Sequence, residues 1–287
     1  SDFSPIGAFH YTSSPKGGDI LDKIKDINGV FSMAGDIISF KSLEIATGKS
    51  GLSISGEVDL NKNTLKFSGT GNTKEMREFS APYFTALNGA GDFKTMVSGK
   101  LEDPVIDMKL SSTAAFFETG KLGISEVLKD RTINAPVFEG DILYRKNLLI
   151  VKKLQVFSGD EEYRASGSVE FKKAKMIFDV REPDYDLNIS VRNIDAKVLS
   201  GTFRDSPHFT GRLNSDFRFY GKPVDLRAAG SVKGSNVSLN GVYSADSADG
   251  FVSYANKDFY FKKMRFVRGK SFLSGDGRLS IHKQFSF

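Results

Sequence analysis

Apolar and polar residues alternate along most of this chain. In SGEVDL (55–60), SGSVEF (166–171) and GDGRLSI (275–281), apolar residues take turns with charged or small ones. DLNISV (186–191), DFRFYG (216–221) and NVSLNG (236–241) follow the same rule. A period of two marks a β-strand with one buried and one wet face. Runs of five to eight such residues, separated by Gly, Asn or Asp turns, predict on the order of 20 strands. At ~4.7 Å between strands, a sheet of that size is roughly 90 Å long and must twist, curl or split.

Two stretches have the same length and rhythm: YRKNLLIVKKLQVFSG (144–159) and YANKDFYFKKMRFVRG (254–269). Both carry a Lys pair, Lys152 with Lys153 and Lys262 with Lys263. Before the pair the apolar residues are Leu149 and Val151, or Phe259 and Phe261; after it they are Leu154 and Val156, or Met264 and Phe266. The parity changes at Lys-Lys in both copies. A β-bulge there returns every apolar side chain to one face, because one extra residue reverses the side each Cβ takes.

A third copy lies upstream. Leu43, Leu154 and Met264 correspond, then Gly48, Gly159 and Gly269, then Gly56, Gly167 and Gly277. Each of the last three is followed two residues on by Val58, Val169 or Leu279, and four residues on by Leu60, Phe171 or Ile281. The regions between also match: LNGAGDFKTMVSG (87–99) resembles FTGRLNSDFRFYG (209–221), each with a Pro soon after, Pro104 and Pro223. The chain divides into a partial leading segment with a short helix (1–30), repeat 1 (31–140), repeat 2 (141–250) and the start of repeat 3 (251–287), as one elongated unit. The pattern reads as cut at both ends, which predicts a fragment. Helix signals are short: LDKIKDI (21–27), NTKEMREF (72–79), SEVLKDR (125–131) and NIDAKVLSG (193–201), with Asn72 and Ser125 as N-caps and Glu75 completing a capping box. The predicted fold class is mainly β: an extended, curled, antiparallel-rich sheet forming a β-groove, with a few short helices.

Composition narrows the chemistry. The 287 residues include 25 Phe, 28 Gly, 8 Pro and no Trp, which suits many strands and tight turns. The absence of cysteine excludes thiol catalysis, a disulfide scaffold and a Cys-ligated zinc site, and is compatible with an oxidising compartment. No apolar run reaches the ~18 residues of a membrane-spanning helix, and SDFSPIGAFHYTSSP has no signal-peptide pattern. The net charge of +5 is dispersed, which argues against nucleic acid. His10, His208 and His282 are far apart, so no metal or Ser–His centre is expected. The acidic pairs Asp184/Asp186 and Asp103/Asp107 read as turns entering strands. Asn188 and Asn236 open accidental glycosylation sequons, and no Gly-rich loop has the Lys-Ser/Thr of a phosphate site. No enzyme, cofactor or metal is expected.

The succession of apolar strand, Gly-x-aliphatic-x-aliphatic, short helix and "Gly … Pro-x-aliphatic" strand resembles the AsmA-like family, and within it the TamB-type members. SGKLEDPVIDMKL (98–110), ASGSVEF (165–171) and residues 189–239 carry the resemblance, which covers most of the chain after about residue 30. It implies a Gram-negative envelope protein in the periplasm, anchored in the inner membrane by a segment outside this chain. It further implies a curled sheet whose apolar concave face conducts phospholipid toward the outer membrane, and links to an outer-membrane barrel. It carries no catalytic residues.

A groove of alternating apolar residues would bind acyl chains without directional bonds, each buried CH₂ contributing about 0.8 kcal/mol. The expected lipid-contacting side chains are Val58 and Leu60; Leu149, Val151, Leu154 and Val156; Val169 and Phe171; Phe217 and Phe219; and Phe259, Phe261, Met264 and Phe266. Lys152, Lys153, Lys262 and Lys263, read as strand-end residues, would meet headgroup phosphates. The alternation also suits an ordinary β-sandwich core. A different function class is a non-catalytic scaffold for outer-membrane protein assembly that pairs its edges with client strands. A β-solenoid adhesin or lyase needs rungs of about 20–25 residues, at odds with the long period here.

Overall fold

The computed structural model describes residues 6–12, 24–75, 87–118, 132–135, 137–171, 183–198, 208–256 and 258–280. They form one 17-stranded sheet, almost entirely antiparallel strand, that is long, curled and not closed into a barrel. The first half comprises β1 (Ile6–Thr12), β2 (Ile24–Ala34), β3 (Ile37–Thr47), β4 (Ser50–Asp59), β5 (Thr64–Thr73), β6 (Leu87–Lys100), β7 (Asp103–Glu118) and β8 (Thr132–Ala135). The second comprises β9 (Val137–Arg145), β10 (Leu148–Ser158), β11 (Glu161–Phe171), β12 (Pro183–Asp195), β13 (Phe209–Gly221), β14 (Arg227–Leu239), β15 (Tyr243–Ala255), β16 (Asp258–Arg268) and β17 (Ser271–Ser280).

The strands pair in chain order, each antiparallel to the one before, with β8 and β9 lying along successive parts of β7. The meander continues unbroken from β9 to β17. Hairpin connections and period-two strands explain the order: with partners close in sequence, each strand satisfies its backbone groups against the one just made. Substantial contacts between described elements join sheet neighbours, so there is no second layer of described strands stacked closely on the first.

Three of the sheet's bulges sit at equivalent places of the repeat. Lys152 and Lys153 together oppose Ser166, because Val151 pairs with Gly167 and Leu154 with Ala165. Lys41 and Ser42 sit between the pairs Phe40–Gly56 and Leu43–Ile54, and Lys262 and Lys263 between Phe261–Gly277 and Met264–Gly275. At the last of these Lys263 takes a positive φ of 51°, and its backbone N–H donates to Asp276 Oδ1 at 2.7 Å. Each bulge restores the apolar parity, as the change at Lys-Lys requires.

The helix expectations fare differently. Ile24 and Ile27, in the stretch read as LDKIKDI, open β2 and pair with Thr47 and Ile45. Two turns of helix cannot offset nucleation alone, whereas β2 gains a full ladder on β3. Asn72 is no N-cap among the described residues: it lies in β5 opposite Asp92, and the Glu75 N–H donates to Thr73 Oγ1 at 2.9 Å. Residues 76–79 and the 125–131 stretch lie outside the described residues. Asn193–Asp195 belong to β12, and only Lys197 and Val198 beyond them are helical before the description stops. A 3-10 turn at Pro223–Asp225 joins β13 to β14.

Candidate functional site

Antiparallel partners share a face, so the register decides where each side chain stands. One file of directly opposed residues runs Leu43, Ile54, Gly69, Thr95, Met108, Ile142, Val151, Gly167, Leu187, Phe219, Ala228, Tyr254 and Phe259. The next file on that face runs Ile45, Leu52, Gly71, Phe93, Leu110, Gly140, Leu154, Ala165, Ile189, Phe217, Gly230, Val252, Phe261 and Gly277. Neither holds a charge. From β3 to β17 such a file extends about 60 Å at the usual strand spacing.

Large and small residues alternate along these files, and the large ones lean over the small. A Cβ built on Gly71 would meet the Phe93 ring at 2.3 Å, and one on Gly69 would meet Ile54 at 2.2 Å. Phe31, Phe40 and Phe67 form a chain of tilted rings with centroids 6.2 and 5.7 Å apart. Phe138, 3% exposed, anchors a dense patch with Ala115 and Ala135, joined by Leu110, Leu154 and Val156. Most other large residues of the face are half-buried.

Thirteen of the fourteen side chains expected to contact lipid fall on this face. Val58 pairs with Ile38 and Leu65; Leu149, Val151, Leu154 and Val156 pair with Val169, Gly167, Ala165 and Tyr163. Val169 and Phe171 are buried. Phe217 and Phe219 have ring centroids 6.1 Å apart, and the Phe259 ring is tilted against Tyr254 with centroids 5.0 Å apart. Phe261, Met264 and Phe266 continue the face along β16, with Phe266 more exposed near the sheet end. Leu60 departs from the set: it lies in the turn after β4, its N–H donates to the Asp36 carbonyl at 2.8 Å, and it is exposed. The expectation omitted Phe93, Met108, Ile142, Leu187 and Ile189. Alternation in PVIDMKL and DLNISV was the available signal, and the register was needed to align it.

The lysines are not at strand ends as expected. They stand mid-strand at the bulges, on the opposite, polar face. Lys152 Nζ lies 2.7 Å from Asp107 Oδ2 and 3.4 Å from Asp141 Oδ1, and Lys153 Nζ lies 2.9 Å from Glu139 Oε2. The hydrogen bond to Asp107 raises the Lys152 pKa, against desolvation, with Asp141 assisting. Lys262 pairs in register with Phe251 of β15.

The same polar face absorbs the acidic pairs. Arg218 grips Asp186 through two bonds of 2.8 and 2.9 Å and holds its carboxyl below the ordinary range. Asp216 accepts from Ser190 at 2.5 Å and from Arg192 at 2.6 Å, which lower its pKa in that order. Asp107 serves Lys152, and Asp184 lies opposite Glu170. A depression of about 900 Å³ is bounded by Lys153, Gln155, Arg164, Asn188, Asp216 and Arg218, whose charges are paired with Glu139, Glu162, Arg192 and Asp186 beside it. His10 bonds Asn28, the backbone N–H of His208 donates to Asn240, and His282 lies outside the described residues. Among the described residues no three His, Asp or Glu side chains gather as metal ligands, and no helix is long and apolar enough to cross a membrane.

The arrangement therefore separates an apolar face from a salt-bridged one, and its capability is adsorption of apolar matter along an extended track. Comparison with known families, with characterised proteins and with solved structures finds no match.

Proposed function

We propose that this chain is a lipid-binding, lipid-conducting β-groove segment of a bacterial envelope protein of the AsmA-like kind, acting in the periplasm and moving phospholipid toward the outer membrane. The observation that carries the reading is the uncharged apolar face continuing from β3 to β17. An ordinary core needs a facing layer, and no described strand supplies one close by. A curl toward the apolar side would hide such a face from water and leave a trough for acyl chains. Each strand step of about 4.8 Å accommodates about four methylenes, worth roughly 3 kcal/mol when fully buried and about half that when one side is contacted. Equivalent sites on successive strands let a chain slide without one deep trap. Headgroups remain in water at the trough mouth, and the bulge lysines, being on the far face, take no part.

The test is native mass spectrometry with lipid extraction on the purified chain, followed by exchange with a fluorescent phospholipid. Phospholipid is expected at one or more molecules per chain. Phe261→Asp should reduce uptake about tenfold, as the loss of roughly 1.5 kcal/mol of contact implies. Lys152→Glu on the polar face should leave uptake unchanged. A folded, lipid-free chain that takes up no probe would sink the proposal, and so would a greater loss with Lys152→Glu than with Phe261→Asp. Circular dichroism of each variant separates lost binding from lost folding.

A further inference from the structure

The repeat assigns β17 the same place as β4 and β11. Gly56, Gly167 and Gly277 each lie opposite the last residue before a bulge: Phe40, Val151 and Phe261. In the first two copies the reason for glycine is the strand that follows. A Cβ on Gly56 would lie 2.1 Å from the Lys66 carbonyl oxygen in β5, and a Cβ on Gly167 would lie 2.1 Å from the Asp186 carbonyl oxygen in β12. Both glycines make room for a neighbouring backbone. At Gly277 that space is open among the described residues: the nearest atoms belong to the Phe261 ring of the preceding strand, at 3.9 Å. Only β16 among the described strands pairs with β17, and Phe272 and Leu273 are 66% and 70% exposed there.

We propose that the outer edge of β17 receives an antiparallel strand of the β5 and β12 pattern, supplied by a further repeat of this kind, with an apolar residue opposite Gly277. The inference goes beyond the lipid reading and does not rest on it, though it would carry the apolar face past β17. The β11–β12 register defines the placement. Gly167 faces Leu187, Tyr163 faces Val191 and Arg164 faces Ser190. Transferred to β17, a strand with the β12 sequence would set Leu187 opposite Gly277, Val191 opposite the exposed Leu273, and Asp186 opposite Arg278. Apolar residues then meet on one face, and on the other Asp186 adds a second carboxylate to Arg278, which Asp258 already holds from β16.

The chain has no cysteine, so an introduced thiol reports on one position. The probe is a synthetic β12 peptide, PDYDLNISVRNID, carrying Ser190→Cys, mixed with the full chain carrying Ser274→Cys. Disulfide yield should exceed, at least tenfold, that of peptides with the cysteine at Asn188 or Arg192, which share the face but are two residues out of register. Gly277→Ala should leave the thermal midpoint unchanged, since its Cβ enters open space, yet lower the in-register yield at least tenfold. Equal yields in all three registers would overturn the proposal, as would full cross-linking with Gly277→Ala. Preferential disulfide dimers of the Ser274→Cys chain would overturn it too, by showing that a second copy takes the edge.

Discussion

Phe93→Ala should destabilise the sheet by about 3 kcal/mol, and Phe251→Ala by no more than about 1.5 kcal/mol. The two rings occupy opposite faces of the sheet. Phe93 lies 8% exposed over Gly71 and between Gly71 and Leu110, whereas Phe251 is 57% exposed between Ser231 and Lys262. A buried Phe removes on the order of 150–250 Å² from water, roughly 4–6 kcal/mol at about 25 cal/mol per Å². The retained Ala methyl and a compact unfolded chain reduce this to about 3 kcal/mol. Phe251, with 57% of its surface still wet, retains at most about half of that. Urea unfolding followed by far-UV circular dichroism measures both, with tyrosine fluorescence as a second probe because the chain has no Trp. If the Phe251→Ala midpoint fell as far as that of Phe93→Ala, the two faces would not differ in burial, and the groove would lose its physical basis.

Two further outcomes bear on other parts of the fold. Asp186, Asp216 and Glu162 are held below their ordinary values of 3.8, 3.8 and 4.5, chiefly by hydrogen bonds from Arg218, Ser190 and Arg164 respectively. A depressed folded pKa contributes stability above the unfolded value and loses it as pH falls through the folded one. The urea midpoint should therefore decline below about pH 4, and Asp186→Asn with Asp216→Asn should lower the neutral-pH midpoint while flattening that decline; an unchanged acid slope would show that the pairs contribute nothing. Deleting Lys153 removes the extra residue of the bulge and sends Leu154 and Val156 to the polar face. Limited proteolysis should then cut within β10 far faster than in wild type, whereas Lys153→Ala should resist like wild type; equal protection of the deletion would show that the bulge does not set the parity.

Much of the fold was legible because its causes are local. A period of two can be read within six residues, and a reversal of parity at Lys152 and Lys153 demands a bulge wherever the partner strand lies. The equivalence of Gly56, Gly167 and Gly277 could likewise be read from spacing, although its meaning could not: the Lys66 and Asp186 carbonyls that forbid a Cβ belong to the next strand. Local preference also misled. LDKIKDI has a helical rhythm, yet Ile24 and Ile27 are taken by β3, because a shared ladder outweighs two turns of isolated helix.

Alternation therefore determined by itself that the chain is a many-stranded sheet with one apolar and one polar side, bent at the two Lys-Lys pairs. Only the tertiary structure decided that those sides join into two continuous faces. Alignment of Ile54 with Gly69, or Leu187 with Phe219, depends on cross-strand register rather than on either strand alone. It also decided the place of the lysines. Lys152 is bound to Asp107, 45 residues away, because β7, β9 and β10 lie side by side and two opposite charges on a shared face attract across the strands.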